Sequence, residues 1–193
     1  MNNTFFAMVS RMKYIDRWAL MRNTEKESLD SHSKEVAVIA HALAIIGNKR
    51  FGKSYNPDRA AVLGLYHDAH EIITGDMPTP IKYFNPKISE VYKQIERVAE
   101  EKLVNYLPED LREEFAPLVT LTQEDKCYEP FLKAADKLSA LIKCIEEEKI
   151  GNKEFAKAHI AIETSLENMN LPYVDVFLNE FLPSYYLTLD EQD

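Results

Sequence analysis

The segment 66–80 contains two histidines and three carboxylates, beside an apolar run at 60–65. On a helix, His67 and Glu71 fall on the same face as Leu63 and Gly64, and this face should point into the core. Asp68 sits about 100° further round the same helix. A neutral imidazole and a carboxylate can bind a borderline divalent cation, and a second carboxylate one turn away could transfer protons. The spacing therefore indicates a metal site with a proton-transfer group beside it.

The His67-Asp68 pair also has a simpler interpretation. Such a pair arises by chance in many chains with this content of histidine and aspartate. A single histidine on an apolar helix face is more often a hydrogen-bonded core residue than a metal ligand. The pair alone does not establish a metal site, so the interpretation depends on the rest of the chain.

Composition places the 193-residue chain among globular proteins, since 46% of its residues are hydrophobic and 28% are charged. A single domain, 1–193, accounts for this length. The net charge of −9 argues against binding a nucleic-acid polymer, but leaves room for one nucleotide in a local basic pocket. Cys127 and Cys144 do not form a zinc-type pair, and neither a signal peptide nor a membrane span is evident. We therefore expect a cytoplasmic protein without a membrane partner.

Helical periodicity recurs along the chain, and the low glycine content favours helices over strands. Asn56-Pro57 and Asn85-Pro86 are strong helix starts, with Asn at the N-cap and Pro in the first turn. The pattern predicts helices over 5–16, from Ser28 or Ser31 to Gly47, then 57–73, 86–103, a short one from Pro108, 129–150, 155–169 and 172–181. The tail 187–193 is predicted to be loose. The predicted fold class is all-α, a single-domain helical bundle.

Several residues outside the segment 66–80 have open interpretations. Trp18 either fills the core while Arg17 is solvated, or its ring stacks on a base while the Arg17 guanidinium binds phosphate. His32 lies in the first turn of its helix, at the rim of the core. His41 lies about 180° round from His32 and is interpreted as structural or surface. Asp136 lies nearly opposite the apolar face of its helix, so periodicity predicts a solvated residue.

The order His32, His67-Asp68 and Asp136 resembles the H…HD…D ligand set of HD-domain metal-dependent phosphohydrolases. A closer resemblance, to the bacterial HD-domain 5′-deoxynucleotidases, covers almost the whole chain. The segments that carry it are Arg17-Trp18-Ala19-Leu20-Met21-Arg22-Asn23, His32-Ser33, Tyr66-His67-Asp68, Thr74-Gly75-Asp76-Met77-Pro78-Thr79-Pro80, Lys82-Tyr83-Phe84-Asn85 and Leu182-Pro183-Ser184. The resemblance implies a dimeric HD-type helical bundle that hydrolyses deoxyribonucleoside 5′-monophosphates to deoxynucleoside and phosphate.

The resemblance also implies a role for each matching residue. One divalent cation would be bound by His32, His67, Asp68 and Asp136, which overrides the solvated interpretation of Asp136. Glu71 would transfer a proton and Arg17 would orient the phosphate, as the catalytic residues. The substrate-binding residues implied are Arg17, Trp18, His67, Asp76, Met77, Pro78, Thr79 and Asp136.

This sequence departs from the family pattern at a few positions. Met77 stands where the family has Leu, and Ser31 stands where it has Glu. His70 stands where the family has Ser, and it is the departure nearest the chemistry. His70 could therefore alter the preference for metal or substrate.

Two other functions remain open at the level of sequence. One is another HD phosphohydrolase, such as a triphosphohydrolase, a phosphodiesterase or an alarmone hydrolase. Sites of the two-metal kind usually add histidines, and few are left over here. The other is a catalytically silent helical module that keeps the metal as a staple, and Glu71 argues against it because a staple needs no proton carrier. Mixed nitrogen and oxygen ligands suit Co²⁺ or Mn²⁺, with Fe²⁺ and Zn²⁺ as alternatives.

Overall fold

The computed structural model describes residues 3–82 and 84–192. Tyr83, which belongs to a segment that carries the family resemblance, lies outside these ranges. So does Asp193, the last residue of the predicted loose tail. The described part contains the helices α1 Phe5–Val9, α2 Leu29–Phe51, α3 Pro57–Tyr66, α4 Glu71–Thr74, α5 Thr79–Lys82, α6 Pro86–Val104, α7 Glu109–Val119, α8 Glu129–Lys149, α9 Ala156–Glu167 and α10 Pro172–Val176. Across these ranges the sole strand-type pairing is an isolated bridge. The predicted all-α, single-domain fold class is confirmed.

The main core forms where α2 and α8 pack with α3 and α10. Its fully buried side chains include Val36 and Leu43 of α2 and Phe131 and Leu138 of α8. Burial of such large side chains contributes about 1.5–3 kcal/mol each. This core holds the first turn of α2 against the middle of α8, which brings together residues about a hundred positions apart in sequence.

The second helix is longer than its periodicity predicts. It ends at Phe51 and is capped by Gly52, whose φ of 63° is a left-handed conformation that glycine adopts without steric cost. The predicted end at Gly47 is wrong. Gly47 is buried inside α2, where a Cβ would make ordinary contacts with Tyr55 and Tyr173 at 3.6–3.7 Å. Gly47 is therefore an interior residue of α2, and the next glycine, Gly52, marks the end of the helix.

The helix predicted over 57–73 is interrupted. Asn56 caps α3 as predicted, by accepting a hydrogen bond from the Arg59 N–H at 3.1 Å. After Tyr66, a turn occupies 67–70 before α4 begins at Glu71. Across this turn the amides bond three residues back, as in Glu71 N–H to the Asp68 carbonyl at 2.9 Å. The break re-aims the side chains that a continuous helix would have placed at fixed angles.

A second apolar cluster packs around this turn. Its buried members come from α1, the turn, α6, its C-terminal extension and α7, namely Phe5, Ala69, Leu103, Leu107 and Val119. The aromatic ring of Phe5 contacts those of Tyr66 and Phe115. This cluster, which is separate from the main core, holds the turn 67–70 through buried Ala69.

Both ends of the chain wind less regularly than predicted. The first helix passes at Ser10 into a 3₁₀ helix that ends at Tyr14. The final helix passes at Phe177 into a π-helical turn and then into 3₁₀ turns over Leu182–Tyr186 and Leu189–Glu191. No described helix combines the length and apolar character that crossing a membrane would require.

The loop 17–27 is closed at its base and tied to α8 at its tip. An antiparallel bridge pairs Asp16 with Ser28 at the base. At the tip, the buried carboxylate of Glu147 accepts hydrogen bonds from the Thr24 and Glu25 amides, and Lys143 donates to the Glu25 carbonyl at 2.7 Å. The loop that carries Arg17 and Trp18 is therefore held against α8 by hydrogen bonds.

Candidate metal centre and active site

Four residues from three parts of the chain meet at the open rim of the core. His32 comes from α2, Asp136 from α8, and His67 and Asp68 from the turn after α3. Each offers one ligand atom, and these atoms lie within 4.8 Å of one another. His32 Nε2 lies 3.2 Å from Asp136 Oδ1, and His67 Nε2 lies 2.9 Å from Asp68 Oδ2.

Helical periodicity accounts for only part of the placement of Asp136. Its side chain is 43% exposed, yet it faces His32 across the α2–α8 contact. The nearby small residues Ala135 and Ser139 are buried and let α2 approach this side of α8. Periodicity alone therefore predicts the partial exposure of Asp136 but not its place in the cluster.

The tautomer of His67 follows from its hydrogen bond. Its Nδ1 lies 2.8 Å from the Gly64 carbonyl oxygen, which can only accept. Nδ1 therefore carries the proton, and Nε2 presents a lone pair. Burial lowers the pKa of His67, but the neighbouring Asp68 carboxylate outweighs burial and the pKa is raised overall. A proton and a cation would compete for this nitrogen.

The tautomer of His32 is set through two further residues. The Ser139 hydroxyl donates to Glu35 Oε2 at 2.6 Å, so it accepts from His32 Nδ1 at 3.0 Å. The lone pair of His32 is thus also on Nε2. His32 is 1% exposed, and this burial lowers its pKa, which favours the neutral ring. Neither Ser139 nor Glu35 stands out in the sequence, because hydrogen-bonded pairs between helices leave no periodic signal.

The cluster fits a divalent cation. The Nε2 atoms of His32 and His67 are buried and form no hydrogen bond with any described residue, although carboxylate oxygens lie close to both. Buried lone pairs facing carboxylate oxygens are unfavourable unless a cation lies between them. Two neutral imidazoles and two carboxylates are a donor set that suits first-row divalent metals.

Arg17 and Trp18 are held by one carboxylate that the sequence analysis missed. Glu27 Oε2 accepts from Arg17 Nε at 3.1 Å and from the Trp18 indole N–H at 2.7 Å. The Arg17 guanidinium then reaches toward the cluster, 3.7 Å from Asp68 and 4.0 Å from Asp136. Glu27 lies opposite Arg17 at the base of the loop, next to the Asp16–Ser28 bridge. This position is the one signal that could have identified Glu27.

The backbone of Trp18 is strained. Its φ of 60° is left-handed, which costs an ordinary side chain roughly 1–2 kcal/mol. The Asn23 side chain donates to the Trp18 carbonyl at 3.2 Å, and the indole packs on Phe155 with ring centroids 5.2 Å apart. These contacts hold the half-buried ring in one orientation. Trp18 therefore neither fills the main core nor is free in solvent.

Glu71 is a buried carboxyl group without a partner for one oxygen. It is 5% exposed, and Oε2 forms no hydrogen bond with the described residues. Burial, reinforced by the negative charges of Asp68 and Asp76, raises the pKa of Glu71 to about 9. Burial also raises the pKa of Asp76, while Arg17 opposes this shift. A carboxyl group that retains its proton near neutral pH can donate it to a leaving group.

The rest of the predicted substrate loop lies beside α6. Met77 lines an apolar groove together with Ile88, Val91 and Tyr92. The Pro78 carbonyl begins α5 by accepting from the amides of residues 81 and 82, and Thr79 is exposed at the start of that helix. The predicted contact of Met77, Pro78 and Thr79 with sugar and phosphate therefore rests on the family resemblance.

Of the other histidines, His70 alone is buried against this site. It is 6% exposed, and neither ring nitrogen is hydrogen-bonded to a described residue. His41 is distant from the cluster, with a 40% exposed side chain that lies 3.7 Å from Asp58. The interpretation of His41 as structural or surface agrees with this placement.

The fold is that of HD-domain phosphohydrolases of known structure. One from Listeria innocua matches with a TM-score of 0.79 at 24% identity, over 94% of this chain and 88% of that one. The cyanophage S-2L HD phosphohydrolase, in complex with dA and one catalytic Zn²⁺ ion, matches with a TM-score of 0.68 at 19% identity, over 94% and 96% of the two chains. The chain therefore has the fold of the HD class, and this fold brings two histidines and two aspartates into one cluster.

The chain belongs to the YfbR-like 5′-deoxynucleotidase family, whose model matches residues 4–185. A 5′-deoxynucleotidase of Photobacterium profundum is 49% identical over 97% of this chain and 96% of its own. The 5′-deoxynucleotidase YfbR of Escherichia coli is 48% identical over 97% of this chain and 94% of its own. The family predicted from the sequence is confirmed, and with it the class of enzyme.

Proposed function

We propose that the protein hydrolyses deoxyribonucleoside 5′-monophosphates to deoxynucleoside and phosphate. Membership of the family supports 5′-deoxynucleotidase activity. The observation that carries the proposal is the convergence of His32, His67, Asp68 and Asp136 beside the guanidinium of Arg17 and the carboxyl group of Glu71. A phosphate monoester hydrolyses very slowly unaided, so the site must lower a large barrier.

His32, His67, Asp68 and Asp136 are proposed to bind one divalent cation, Co²⁺ or Mn²⁺, with Fe²⁺ and Zn²⁺ as alternatives. Such an ion would acidify a water molecule and draw charge from the phosphoryl group. The fixed tautomers of His32 and His67 support this assignment, because both rings present Nε2 toward the two carboxylates. The ligand set does not discriminate among these metals by affinity alone.

Arg17 is proposed to orient the phosphate, and Trp18 to contact the nucleoside. The guanidinium has a planar array of donors suited to two phosphate oxygens. Its Nε is occupied by Glu27, which leaves the terminal nitrogens directed at the cluster. The indole is fixed through the same carboxylate. The phosphate and nucleoside subsites would thus be set relative to each other before the substrate arrives.

Glu71 is proposed as the proton-transfer group. Its burial and raised pKa support a protonated carboxyl group that can donate to the leaving 5′-oxygen. The same group, once deprotonated, can orient the attacking water. Either use requires the carboxyl group at this position, so its removal should abolish turnover while the fold is retained.

The segment from Asp76 to Thr79 is proposed to shape the sugar and phosphate pocket. Together with Trp18, it would exclude a 2′-hydroxyl and so select deoxyribose. Half-buried Asp76, which is close enough to Arg17 for its pKa to respond, supports this placement. If Asp76→Ala leaves the preference of deoxy over ribo substrates unchanged, the selectivity lies elsewhere.

The activity is tested by removing metal with a chelator and adding back Co²⁺ or Mn²⁺. Phosphate release is then measured from dAMP, AMP and dATP. We expect metal-dependent release from dAMP alone, lost in Glu71→Ala and retained in Glu113→Ala, an exposed glutamate on α7. Release from dATP, or of pyrophosphate or triphosphate, would place the protein in another branch of the HD class. Bound metal without any release would indicate the silent helical module.

A homodimer is proposed through the outer face of α6. Ile88, Val91, Ile95 and Val98 are all exposed and lie at spacings of three, four and three residues along one stripe. Exposed Ile81 lies beside Ile88, Val91 and Ile95, and an apolar patch of this kind is typical of an interface. Val91→Glu should convert a dimer to a monomer in light scattering after gel filtration. Leu189→Glu, at an exposed leucine in the tail, is the control.

The cytoplasm is proposed as the compartment. Cys127 and Cys144 are both free thiols, and Cys144 is buried in α8. Reduced cysteines are the usual state in a reducing compartment. Cell fractionation with a tagged chain would test this placement, and activity in a secreted or periplasmic fraction would contradict it.

A further inference from the structure

The buried ring of His70 lacks a hydrogen-bond partner among the described residues. Both its nitrogens are shielded from solvent and form no hydrogen bond with the residues described. The unpartnered Oε2 of Glu71 is buried beside it. Asp68, His70 and Glu71 bring their ligand atoms within 4.8 Å of one another, as the four residues of the first cluster do. Unsatisfied polar atoms in a buried group call for an ion, a water or a strain to account for them.

The pocket is short of positive charge for a phosphate dianion. Asp68, Asp76 and Asp136 contribute three carboxylates, and Glu71 contributes a fourth when it gives up its proton to bind a cation. Arg17 is the cation nearest them, and its charge is already offset by Glu27 at 3.1 Å. One divalent ion offsets only two carboxylates. A dianionic substrate would then meet a pocket that remains negative, which opposes binding.

We infer that Asp68, His70 and Glu71 form a second divalent-cation site that shares Asp68 with the first. Oδ2 of Asp68 is the oxygen near His32 and His67, and a carboxylate can use its other oxygen toward a second ion. One imidazole and two carboxylates suit Mn²⁺ or Co²⁺. Three protein ligands leave positions for water and for a phosphoryl oxygen, as in enzymes that bind one substrate between two metals.

Lys82 is a cation close enough to His70 to oppose this site. Lys82 Nζ lies 2.7 Å from Glu96 Oε1, and the same Glu96 oxygen lies 3.7 Å from His70 Nε2. Glu96 therefore offsets the charge of Lys82 on the side nearest His70. With Glu96 included, carboxylates outnumber ammonium and guanidinium groups around Asp68, His70 and Glu71. The balance of charge favours a cation.

His70, a ligand of the proposed second site, departs from the family pattern. The sequence alone argued against a two-metal site because few histidines were left over. The turn at 67–70 changes that conclusion, since it places His70 within reach of Asp68 and Glu71 rather than on a separate helical face. The second site deepens the proposed function and rests on it for the substrate. With this ion bound, Glu71 would be ionised, and of its two proposed uses it would orient the attacking water. The occupancy of the site can be measured without turnover.

The test is the metal stoichiometry of chelator-stripped protein titrated with Mn²⁺, followed by electron paramagnetic resonance. We expect two ions per chain, the second weaker, and a spin-coupled signal because both ions share one carboxylate. Inorganic phosphate should tighten the second ion at least about tenfold, as a ligand common to both. His70→Ser and His70→Asn should each bind one ion without the coupled signal, and His41→Ser should behave as the parent protein.

One ion per chain at saturating Mn²⁺, or two ions in both His70 variants, would overturn the inference. Circular dichroism and thermal unfolding of the two variants establish that they are folded, and Asn retains a polar group where Ser leaves space. Failure here is distinguishable from failure of the proposed function. A protein that binds one ion and releases phosphate from dAMP would lack the second site and still be a deoxynucleotidase.

Discussion

Glu27 accepts the indole N–H of Trp18 through Oε2, at 2.7 Å. The same oxygen lies 3.1 Å from the Nε of Arg17. Two neighbouring side chains with different proposed partners, a phosphate and a nucleoside, are therefore oriented by one atom. A carboxylate with little solvent contact makes strong, directional bonds to both donors. The geometry of this part of the pocket depends on a residue that the substrate need not touch.

Glu27→Ala should lower kcat/KM for dAMP by about 10–100-fold, because Arg17 and Trp18 lose their common anchor and positioning is worth this much. Steady-state kinetics measure the effect. Glu25→Ala is the matched control, since the Glu25 side chain is exposed and only its backbone contacts α8. Unchanged kinetics in Glu27→Ala, with the fold intact, would show that Arg17 is positioned by the cluster instead.

Ser139→Ala should weaken metal binding by about 10–100-fold, the usual effect of removing a residue that orients a metal ligand. The substitution removes the acceptor for His32 Nδ1–H and frees the ring to change tautomer. Competition with a chelating dye measures the affinity. Ser33→Ala is the control, because the Ser33 hydroxyl is also buried but has no hydrogen-bond partner in the described chain. Equal affinities in the two variants would exclude the relay.

Stability should fall in acid through Glu147. Burial opposes ionisation of this carboxyl group, but hydrogen bonds from Lys143, Asn152 and Thr24 outweigh it and lower its pKa from 4.5 to about 2. A lowered pKa in the folded state stabilises the fold above pH 4.5, and this stabilisation, roughly 3 kcal/mol, is lost as pH falls toward 2. Urea unfolding between pH 7 and pH 2 measures it.

Glu147→Gln tests the assignment of that acid-sensitive stability. At pH 7 the variant should be less stable, because Lys143 is left buried without its counter-charge. Its stability should also change less between pH 4.5 and pH 2. Glu113→Gln, at an exposed position, should retain the pH dependence of the parent protein. A parent-like acid profile in Glu147→Gln would assign the transition to other carboxylates.

Gly64→Ala should destabilise the fold by about 1–3 kcal/mol, since the contact is with backbone that cannot move aside. A Cβ at this position would lie 2.8 Å from the Cα of Ala37. Gly47→Ala is the contrast, because its Cβ would meet Tyr55 at 3.6 Å, an ordinary contact. That variant should be neutral or more stable by about 0.5–1 kcal/mol. Thermal unfolding distinguishes the two, and equal effects would contradict the packing of α2 on α3.

The sequence predicted best what short-range rules determine. Apolar periodicity and the Asn-Pro starts located most of α3, α6 and α8, and the family resemblance identified residues that the fold then places together. The break at 67–70 was missed because apolar residues continue on both sides, and packing on Phe5 and Leu103 decides it. Periodicity missed Asp136 because its partner His32 lies on another helix, and it missed Glu27 because the partners of Glu27 lie across an irregular loop. Long-range contacts of single polar residues leave no local pattern.

The left-handed backbone conformation of Trp18 lowers the stability of the fold, while the same residue supplies the ring proposed to contact the nucleoside. Glycine or asparagine would adopt that conformation more readily, so a screen for heat resistance alone would tend to replace the indole. The proposed catalytic pocket would then lose the ring that faces the nucleoside. Laboratory evolution of this enzyme should therefore hold position 18 fixed. Homologues from thermophilic organisms should gain their stability at other positions in the chain.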